Sequence, residues 1–234
     1  MDPSSVTILE GQTADIKATV KPSDATFGEV DWTSSDETIA TVDFNGTITG
    51  IKSGICYVYA TSTDGNKIQG RVKVTVKPSV PATAVVLNTS EMILLPGQTE
   101  AAEVRMKPTK ATDKVTWISG DPCVAVVDSN GIVTAKGQGQ TEIYCVADSG
   151  VEASFTVIVL ALNSTNITLE QYDTYVLDVF GATENIKWYT NNRRIATVDN
   201  NGNVIGRSVG TTTITANVNG KILYCRVTVT KIKK

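Results

Sequence analysis

Three short stretches rich in Asp and Asn oxygen atoms come closest in this sequence to a metal site. They are Asp43-Phe44-Asn45-Gly46, Asp128-Ser129-Asn130-Gly131 and Asp199-Asn200-Asn201-Gly202. Calcium accepts carboxylate and amide oxygens as ligands, but the usual twelve-residue loop with its final Glu is absent here. Asn-Gly also supplies the positive φ angles of a tight β-hairpin. Because a hairpin explains every residue of these stretches, we expect turns, with no metal and no cofactor.

Most catalytic chemistry is excluded by what the sequence lacks. The chain has no His, so Ser-His-Asp and Cys-His arrangements are impossible. Its cysteines show no metal-ligand spacing, and no Gly-rich phosphate loop occurs. The net charge of −3 offers no basic face for nucleic acid. We therefore expect neither an enzyme nor a nucleic-acid partner.

The cysteines are expected to be free thiols. Cys56, Cys145 and Cys225 alternate with polar neighbours, which is typical of small core residues. A bridge between Cys123 and Cys145 is the alternative. Unpaired thiols suit a reducing or anaerobic setting.

Two groups of aromatic side chains could bind a partner. Tyr57 and Tyr59 alternate with core-like positions, so both should face outward on one strand. In the second group, Tyr189 and Tyr224 should also face outward, with Arg193 and Arg194 nearby. Exposed aromatic residues are over-represented in contacts, although ordinary surface or interdomain packing also explains them. A protein or a cell-surface glycan would be the partner of either group.

The three Asp-Asn stretches lie in a skeleton that occurs three times. In each copy a Val-Asp pair ends eleven residues after a Trp, Asn-Gly follows, and another Gly lies eleven residues past the Asp. The positions that repeat in the three copies are Trp32, Trp117 and Trp188, then Gly46, Gly131 and Gly202, then Gly54, Gly139 and Gly210. Each Trp lies on an alternating strand, which favours core packing over a sugar-stacking platform. We expect these residues to serve the core and the turns.

The repeat divides the chain into domain 1 (residues 1–77), domain 2 (78–160) and domain 3 (161–234). Short strands separated by turn signals, without helical periodicity, predict three tandem all-β immunoglobulin-like sandwiches. Alternation predicts a half-buried strand over residues 15–21. Domain 2 has an opening strand at residues 84–88, which in domain 1 is missing or begins partway.

Domain 3 is the divergent copy. Gln171 to Thr174 replace the Gly-Gln-Thr turn of the other domains. Its Asn219-Gly220 pair predicts a two-residue hairpin.

The two junctions are expected to be stiff. The first contains Pro78 and Pro81, and the second, residues 160–163, is short and apolar. Domains 2 and 3 should therefore be held in a restricted relative pose. Three sandwiches in an extended rod would reach on the order of 100 Å.

The repeated marks resemble the group 2 bacterial immunoglobulin-like domain. Domain 1 carries all of them: Gly11-Gln12-Thr13, Pro22, Trp32, Ala40-Thr41-Val42-Asp43, Asn45-Gly46 and Gly54. Domain 2 has Ala125-Val126-Val127-Asp128 with the rest intact, and domain 3 lacks the first two marks. The resemblance implies sandwich modules of the kind found in bacterial surface adhesins, surface-attached enzymes and phage virion proteins. It implies structural residues and no shared ligand pocket.

These observations favour a non-enzymatic structural or adhesion protein at the bacterial cell surface, where it spaces or presents a binding function. One alternative is a phage virion component, a tail or capsid decoration, whose partners would be other virion subunits. That alternative is favoured by unpaired thiols and by the lack of a signal sequence after Met1. The other is a carbohydrate-binding module of a larger surface protein, for which Tyr57 and Tyr59 are the only local evidence. Direct membrane insertion is not expected, because apolar runs such as residues 157–162 are too short.

Overall fold

The chain forms short antiparallel and parallel strands joined by turns. The computed structural model describes residues 1–21, 28–64, 66–182 and 186–232, and no residue in these ranges is helical. The all-β class predicted from alternation and turn spacing is confirmed. No helix among these residues has the length and apolar character to cross a membrane.

The strands are numbered in chain order. Domain 1 contains β1 (Ser5–Leu9), β2 (Thr13–Asp15), β3 (Val30–Ser34), β4 (Ala40–Val42), β5 (Thr47–Gly50), β6 (Gly54–Ser62) and β7 (Gln69–Lys77). Domain 2 contains β8 (Ala84–Leu87), β9 (Glu91–Leu94), β10 (Thr99–Ala101), β11 (Val104–Lys107), β12 (Val115–Ser119), β13 (Ala125–Val127), β14 (Ile132–Ala135), β15 (Gly139–Ala147) and β16 (Glu152–Val159). Domain 3 contains β17 (Ala161–Leu162), β18 (Asn166–Glu170), β19 (Thr174–Val176), β20 (Val179–Phe180), β21 (Lys187–Thr190), β22 (Ala196–Val198), β23 (Asn203–Gly206), β24 (Gly210–Val218) and β25 (Lys221–Thr230).

Each domain contains a four-stranded and a three-stranded sheet. The four-stranded sheets have the orders β1-β7-β6-β3, β9-β16-β15-β12 and β18-β25-β24-β21. In each of them the first two strands named are parallel and the other pairs are antiparallel. The three-stranded sheets are β2-β5-β4, β10-β14-β13 and β19-β23-β22. The core consists of alternate residues of these strands, such as Val58, Ile143 and Ile214, which are 0% exposed.

In each sandwich the repeated Trp packs against the Gly of the Asp-x-Asn-Gly loop. A Cβ atom at Gly46, Gly131 or Gly202 would lie 3.0, 2.9 or 3.1 Å from Cζ2 of the domain's Trp, and 2.6, 2.8 or 2.2 Å from a carbonyl oxygen. The indole therefore covers a position where only Gly fits. The same Gly accepts a backbone hydrogen bond through its oxygen, at 2.9–3.0 Å, from the residue that carries this carbonyl.

The late Gly of each repeat also lies against a side chain. A Cβ atom at Gly54, Gly139 or Gly210 would approach Ile39, Val124 or Ile195 to 2.8, 2.5 or 3.0 Å. The strand that starts at this Gly can thus pass directly over the aliphatic residue.

The Asp of each Asp-x-Asn-Gly loop organises the hairpin. Its Oδ1 accepts the backbone N–H groups of the residues two and four positions later, at 2.8–2.9 Å in all three loops. Within the described ranges, Gly46, Gly131 and Gly202 have positive φ but the Asn before each does not. The expectation that both residues supply positive φ is therefore wrong for these loops, because the Asp side chain closes them. At Asn219-Gly220 both φ angles are positive, 50° and 85°, which confirms the two-residue hairpin.

The strand predicted over residues 15–21 is largely wrong. Only Thr13–Asp15 forms a strand, followed by a single bridge between Asp2 and Lys17. The burial alternation extends through Val20, but a strand also needs a hydrogen-bonding neighbour. In domain 2 that neighbour is β8, which pairs with β11, and the described residues before β1 offer only Asp2. Pro22 lies outside the described residues.

The divergent turn of domain 3 keeps the geometry of the other two. Tyr172 has φ of 76° where Gly11 and Gly97 have 80° and 82°. A positive φ is unusual for a bulky residue and costs about 1–3 kcal/mol. Asp173 then replaces the Gln, and its Oδ2 accepts the N–H of Glu170 at 3.2 Å.

The end of domain 2 packs into the hydrophobic core of domain 3, while the rest of domain 2 keeps a core cluster of its own. The chain as a whole forms two compact units, Met1–Pro81 with Lys110–Asp113, and Ala82–Thr109 with Lys114–Lys234. Inside the second unit, Ile158, Leu160 and Leu162 are 5%, 0% and 7% exposed and belong to the same cluster as the domain 3 core. A Cβ atom at Gly181 would lie 2.4 Å from Ile158. The junction that was expected to be short and apolar is thus a buried part of the sandwich.

The polypeptide passes directly from one sheet to the next at this junction. The N–H of Leu160 donates to the oxygen of Leu94 at 2.9 Å, which continues the pairing of β16 with β9. The next two residues form β17 and pair with β20. No unpaired linker residue separates the two ladders.

The first linker is held within the other compact unit. The N–H of Thr112 donates to the oxygen of Val80 at 2.8 Å, and the N–H of Val80 donates to Oγ1 of Thr112 at 2.9 Å. These bonds fix the backbone between Pro78 and Pro81.

All four cysteines are free thiols. Cys56, Cys145 and Cys225 are buried, as predicted, whereas Cys123 is exposed. The alternative bridge between Cys123 and Cys145 is therefore wrong. Burial raises the pKa of Cys56, and it raises the pKa of both Cys145 and Cys225 to about 11.

We predict that Gly131→Ala destabilises domain 2 by about 2–4 kcal/mol, since it combines a positive φ with contacts to Trp117 and a backbone oxygen. Gly150→Ala is the matched control, with φ of 86° but no atom within 4 Å of the added Cβ. It should cost about 1–2 kcal/mol. Urea unfolding of both variants measures the difference, and equal losses would show that the indole contact contributes nothing.

We predict that a thiol reagent modifies one cysteine per native chain and four per unfolded chain. The buried thiols react slowly because they are inaccessible and remain protonated. Absorbance counting with an aromatic disulfide, and mass spectrometry to locate the label on Cys123, measure this. Rapid labelling of Cys145 in native protein would contradict the packing described for domain 2.

Candidate functional site

The candidate site is the outer face of the four-stranded sheet in domain 3. The side chains of Ile214, Cys225 and Trp188 point toward the core of domain 3. Because side chains alternate along a strand, the residues next to them point outward. This alternation places Tyr189 and Tyr224 on the outer face, 53% and 62% exposed. The sequence prediction that both face outward agrees with the structure.

The two tyrosines flank a threonine in one row across three strands. Thr215 of β24 is opposite Tyr189 of β21 and opposite Tyr224 of β25. Because neighbouring strands lie about 4.8 Å apart, the backbones that carry the two rings are about 10 Å apart. Sequence analysis named both tyrosines but had no register that would bring them together with Thr215. We call Tyr189, Thr215 and Tyr224 the tyrosine row.

Polar side chains extend the row along the sheet. Thr213 is opposite Arg226, which is in turn opposite Asn166. Farther along, Oγ1 of Thr211 lies 3.5 Å from Oγ1 of Thr228. The face therefore combines aromatic rings, hydroxyl groups and one guanidinium.

The two arginines named with this group lie in different surroundings. Arg193 lines a surface hollow of about 220 Å³ together with Trp188, Tyr189 and Thr190. Arg194 is exposed but does not line that hollow. Its backbone N–H donates to Oδ1 of Asn192 at 3.0 Å. Arg193 alone is thus placed to act with Tyr189.

The tyrosines of domain 1 are less open than those of domain 3. Tyr57 and Tyr59 face outward on β6, as expected, but both are only half-buried rather than exposed. The guanidinium carbon of Arg71 lies 5.0 Å from the centre of the Tyr57 ring. This cation–π contact covers part of the surface that a ligand would need.

One aromatic residue that the sequence analysis missed occupies the same row in domain 2. Tyr144 is opposite Ile118 and Ser154, just as Tyr59 is opposite Thr33 and Arg71. The sequence could have predicted that Tyr144 faces outward, because it comes one residue before Cys145 in an alternating strand. Each domain therefore has an aromatic residue in this row, and domain 3 has two.

The Asp-Asn loops are bound to their own backbone rather than open to a metal. Each Asp Oδ1 is occupied by two N–H groups, as described above. Donation from Ile132 N–H lowers the pKa of Asp128, and donation from the Asn203 side chain lowers that of Asp199. Among the described residues, no three Asp, Glu or Cys side chains lie close enough together to hold a metal ion. The arrangement suits turns.

The side chains of this face can recognise the surface of a ligand. Aromatic faces contact apolar faces of a ligand, and hydroxyl and guanidinium groups hydrogen-bond to its polar groups. Such a set fits a sugar or the surface of another protein.

Proteins with related sequences come from bacteria and a phage. An uncharacterized protein of Clostridium acetobutylicum is 33% identical over 160 residues, which cover 67% of this chain and 16% of that protein. An alpha-L-arabinofuranosidase of Bifidobacterium longum is 34% identical over 50% of this chain and 11% of the enzyme. An Ig-like virion protein of Serratia phage KSP90 is 34% identical over 61% of this chain and 57% of that protein. The chain spans less than two thirds of each relative.

Solved structures include the S-layer protein SbsC, matched over 90% of this chain and 36% of that one at 20% identity. Its TM-score of 0.30 is too low to support an argument.

The model of the bacterial Ig-like domain (group 2) matches residues 1–77, 81–159 and 156–222. The three matches fall on the three copies of the Trp, Asn-Gly and Gly skeleton. The second and third overlap at residues 156–159, the end of β16, which is followed after one residue by the first strand of domain 3. The chain therefore belongs to the group 2 bacterial Ig-like domain family and contains three tandem copies of the domain.

Proposed function

We propose that this chain is a non-enzymatic structural module, displayed on a bacterial surface or on a phage virion, that spaces or presents a binding function. The observation that carries the proposal is the hydrophobic junction, at which the end of domain 2 packs into the core of domain 3. Domains within a chain move relative to one another by default unless their interface is large and hydrophobic. A module that holds a binding face at a fixed distance needs such an interface.

We expect the buried junction to resist bending. Burying one large aliphatic side chain contributes about 1.5–3 kcal/mol. Ile158, Leu160 and Leu162 are all buried at the junction, with Ile93 and Leu95 packed against the same cluster. Separating the domains would expose most of this surface, at a cost of several kcal/mol.

Two settings are consistent with such a module. The Serratia phage relative is an Ig-like virion protein, which supports display on a virion. The arabinofuranosidase relative is a much longer protein, which supports display as part of a larger enzyme. The proposed mechanical role is the same in both settings.

A second candidate function is glycan binding by domain 3. The tyrosine row supports it, because two exposed rings flank a hydroxyl on one sheet face, with Arg226 on that face and Arg193 beside Tyr189. Aromatic rings that are exposed to this extent and spaced across a sheet suit an extended saccharide. A protein partner remains the alternative occupant of the same face.

We predict that domains 2 and 3 align as one body and that Ile158→Thr uncouples them. Thr is the native residue at the equivalent positions, Thr75 in domain 1 and Thr228 in domain 3. The variant should weaken the interface by about 1–3 kcal/mol. Residual dipolar couplings measured on the full chain should fit one alignment tensor for both domains in the parent protein and two tensors in the variant.

The control for this experiment is Ile118→Thr. Ile118 lies on an outer face of the same domain 2 sheet, but it is 49% exposed and does not pack at the junction. It should leave the single tensor intact. Two independent tensors in the parent protein would contradict the proposed spacing role.

We predict that any glycan bound by the chain on an array is lost in the double variant Tyr189→Ala, Tyr224→Ala. Loss of each ring should weaken binding by about 5- to 12-fold, which corresponds to about 1–1.5 kcal/mol per ring. The matched control is Tyr57→Ala, Tyr59→Ala, which removes the half-buried pair of domain 1. Equal binding by both double variants, or an array without signal, would remove the glycan hypothesis and leave the spacing role untouched.

A further inference from the structure

Domain 3 differs from the rest of the chain in the sign of its charge. Residues 161–234 contain nine Lys and Arg but five Asp and Glu, a net charge of +4, whereas the whole chain has −3. Three of these cations, Lys187, Arg193 and Arg226, are exposed. Among the residues that the structure describes, no carboxylate forms an ion pair with any of the three. Their charge is therefore available to a ligand.

Two of these cations lie on the face that contains the tyrosine row. Lys187 is two residues before Tyr189 on β21, and Arg226 is two residues after Tyr224 on β25. Residues two apart on a strand share a face and lie about 7 Å apart. One cation therefore lies diagonally beyond each end of the row, on opposite sides of it. Arg193 lies beside Tyr189 in the surface hollow.

Negative charge on the same face is remote from the row. The carboxylate that the structure describes on this face belongs to Glu170, which lies opposite Thr230. Thr230 is six residues from Tyr224 along β25, a separation of about 20 Å. Because the Debye length is about 8 Å at physiological ionic strength, Glu170 does not offset the positive charge around the row.

The equivalent faces of the other domains show that this charge is not a property of the fold. Domain 2 has no cation at the three equivalent positions, which are Thr116, Pro122 and Thr156. Three glutamates lie on its face instead: Glu91, Glu142 and Glu152. Domain 1 has one cation and two carboxylates at these positions, Lys73, Asp31 and Glu37. Substitution at the same surface positions thus makes the face of domain 3 cationic and that of domain 2 anionic.

We propose that the outer face of domain 3 binds an acidic polysaccharide, one in which sugars bear carboxylate groups. The proposal rests on the glycan binding proposed above for this face, and it names the class of glycan. The rings of Tyr189 and Tyr224 contact the apolar faces of sugars. Lys187, Arg193 and Arg226 pair with carboxylates on the two sides of the row. Complementary charge of this kind favours one class of ligand over another.

The composition of the face favours a saccharide over a protein. Protein interfaces have an apolar centre from which charged residues are depleted. Among the described outward residues of the four-stranded sheet, Ile222 is the sole aliphatic one, and it lies at one end of the face. Thr213 and Thr215 occupy the centre, so hydroxyl groups rather than aliphatic side chains meet the ligand there.

The spacing of the charges favours a polysaccharide over a nucleic acid. Lys187 and Arg226 lie two strands and four residues apart, which is about 16 Å by strand geometry. Proteins that bind single-stranded nucleic acid follow its backbone with a positively charged groove. Widely separated cations suit a chain in which charged groups occur on some sugars rather than on every residue.

The test uses the full chain and immobilised glycans in matched pairs: hyaluronan and polygalacturonate, each with its carboxyl-reduced, neutral counterpart. Each exposed ion pair should contribute about two- to fivefold in affinity, so the acidic member of a bound pair should bind at least about fivefold more tightly. This preference should disappear in about 1 M NaCl, where the Debye length falls to about 3 Å.

A charge variant of the chain tests the face itself. Lys187→Gln, Arg226→Gln removes two cations and keeps both rings, so the preference for the acidic member should fall at least about fourfold. The matched control is Lys107→Gln, Lys136→Gln, which removes two exposed lysines of domain 2 and changes the net charge equally. It should keep the preference of the parent chain.

Four results would overturn the proposal. Equal binding of acidic and carboxyl-reduced glycans would overturn it and leave glycan binding by domain 3 in place. Equal loss of preference in the two charge variants would do the same, because the effect would then come from net charge. Tighter binding of polyglutamate or single-stranded DNA to this face would replace the polysaccharide as its ligand. Absence of binding to every glycan would remove both the class and the glycan hypothesis.

Discussion

The packing of a Trp ring over the Gly of a hairpin is the constraint on which each domain depends. The indole covers a position where a side chain would strike both the ring and a backbone oxygen. The same Gly accepts a hydrogen bond from the residue that follows the neighbouring strand of the small sheet. Because the Trp comes from the four-stranded sheet, the two sheets meet at that point. An Asp carboxylate closes the loop from the other side. These few residues explain why the spacing from Trp to Asp to Gly is identical in the three copies.

The junctions determine what the repeated domain can do. Ile158 replaces a threonine of the other copies on the outer face of a sheet, and together with Leu160 and Leu162 it packs into the core of domain 3. A position that lies on the surface in domains 1 and 3 is therefore part of an interface in domain 2, although the fold is the same. The tyrosine row arises in the same way, by substitution at surface positions. Tyr189 and Tyr224 occupy the positions that Ile118 and Ser154 occupy in domain 2. Specificity lies in residues that vary among the copies.

Much of the fold was predictable because it is local. Alternation and turn chemistry identified the sandwich class, the buried cysteines and the Asn219-Gly220 hairpin. The strand expected over residues 15–21 failed because alternation describes burial, whereas a strand also depends on a distant partner. The prediction of positive φ for the three Asn residues was wrong because the side chain of the Asp two residues earlier closes the loop. The tyrosine row needed cross-strand register, which no single segment of sequence contains.

The central claim is that the polypeptide crosses from domain 2 to domain 3 without a hinge. Native-state hydrogen exchange at the amides of Leu160 and Asn163 tests it most directly. Both donate to backbone oxygens at 2.9 Å, to Leu94 and Asp178. The account predicts protection comparable to that of the core amides of both domains. Exchange orders of magnitude faster than in either core would show a flexible joint and contradict it.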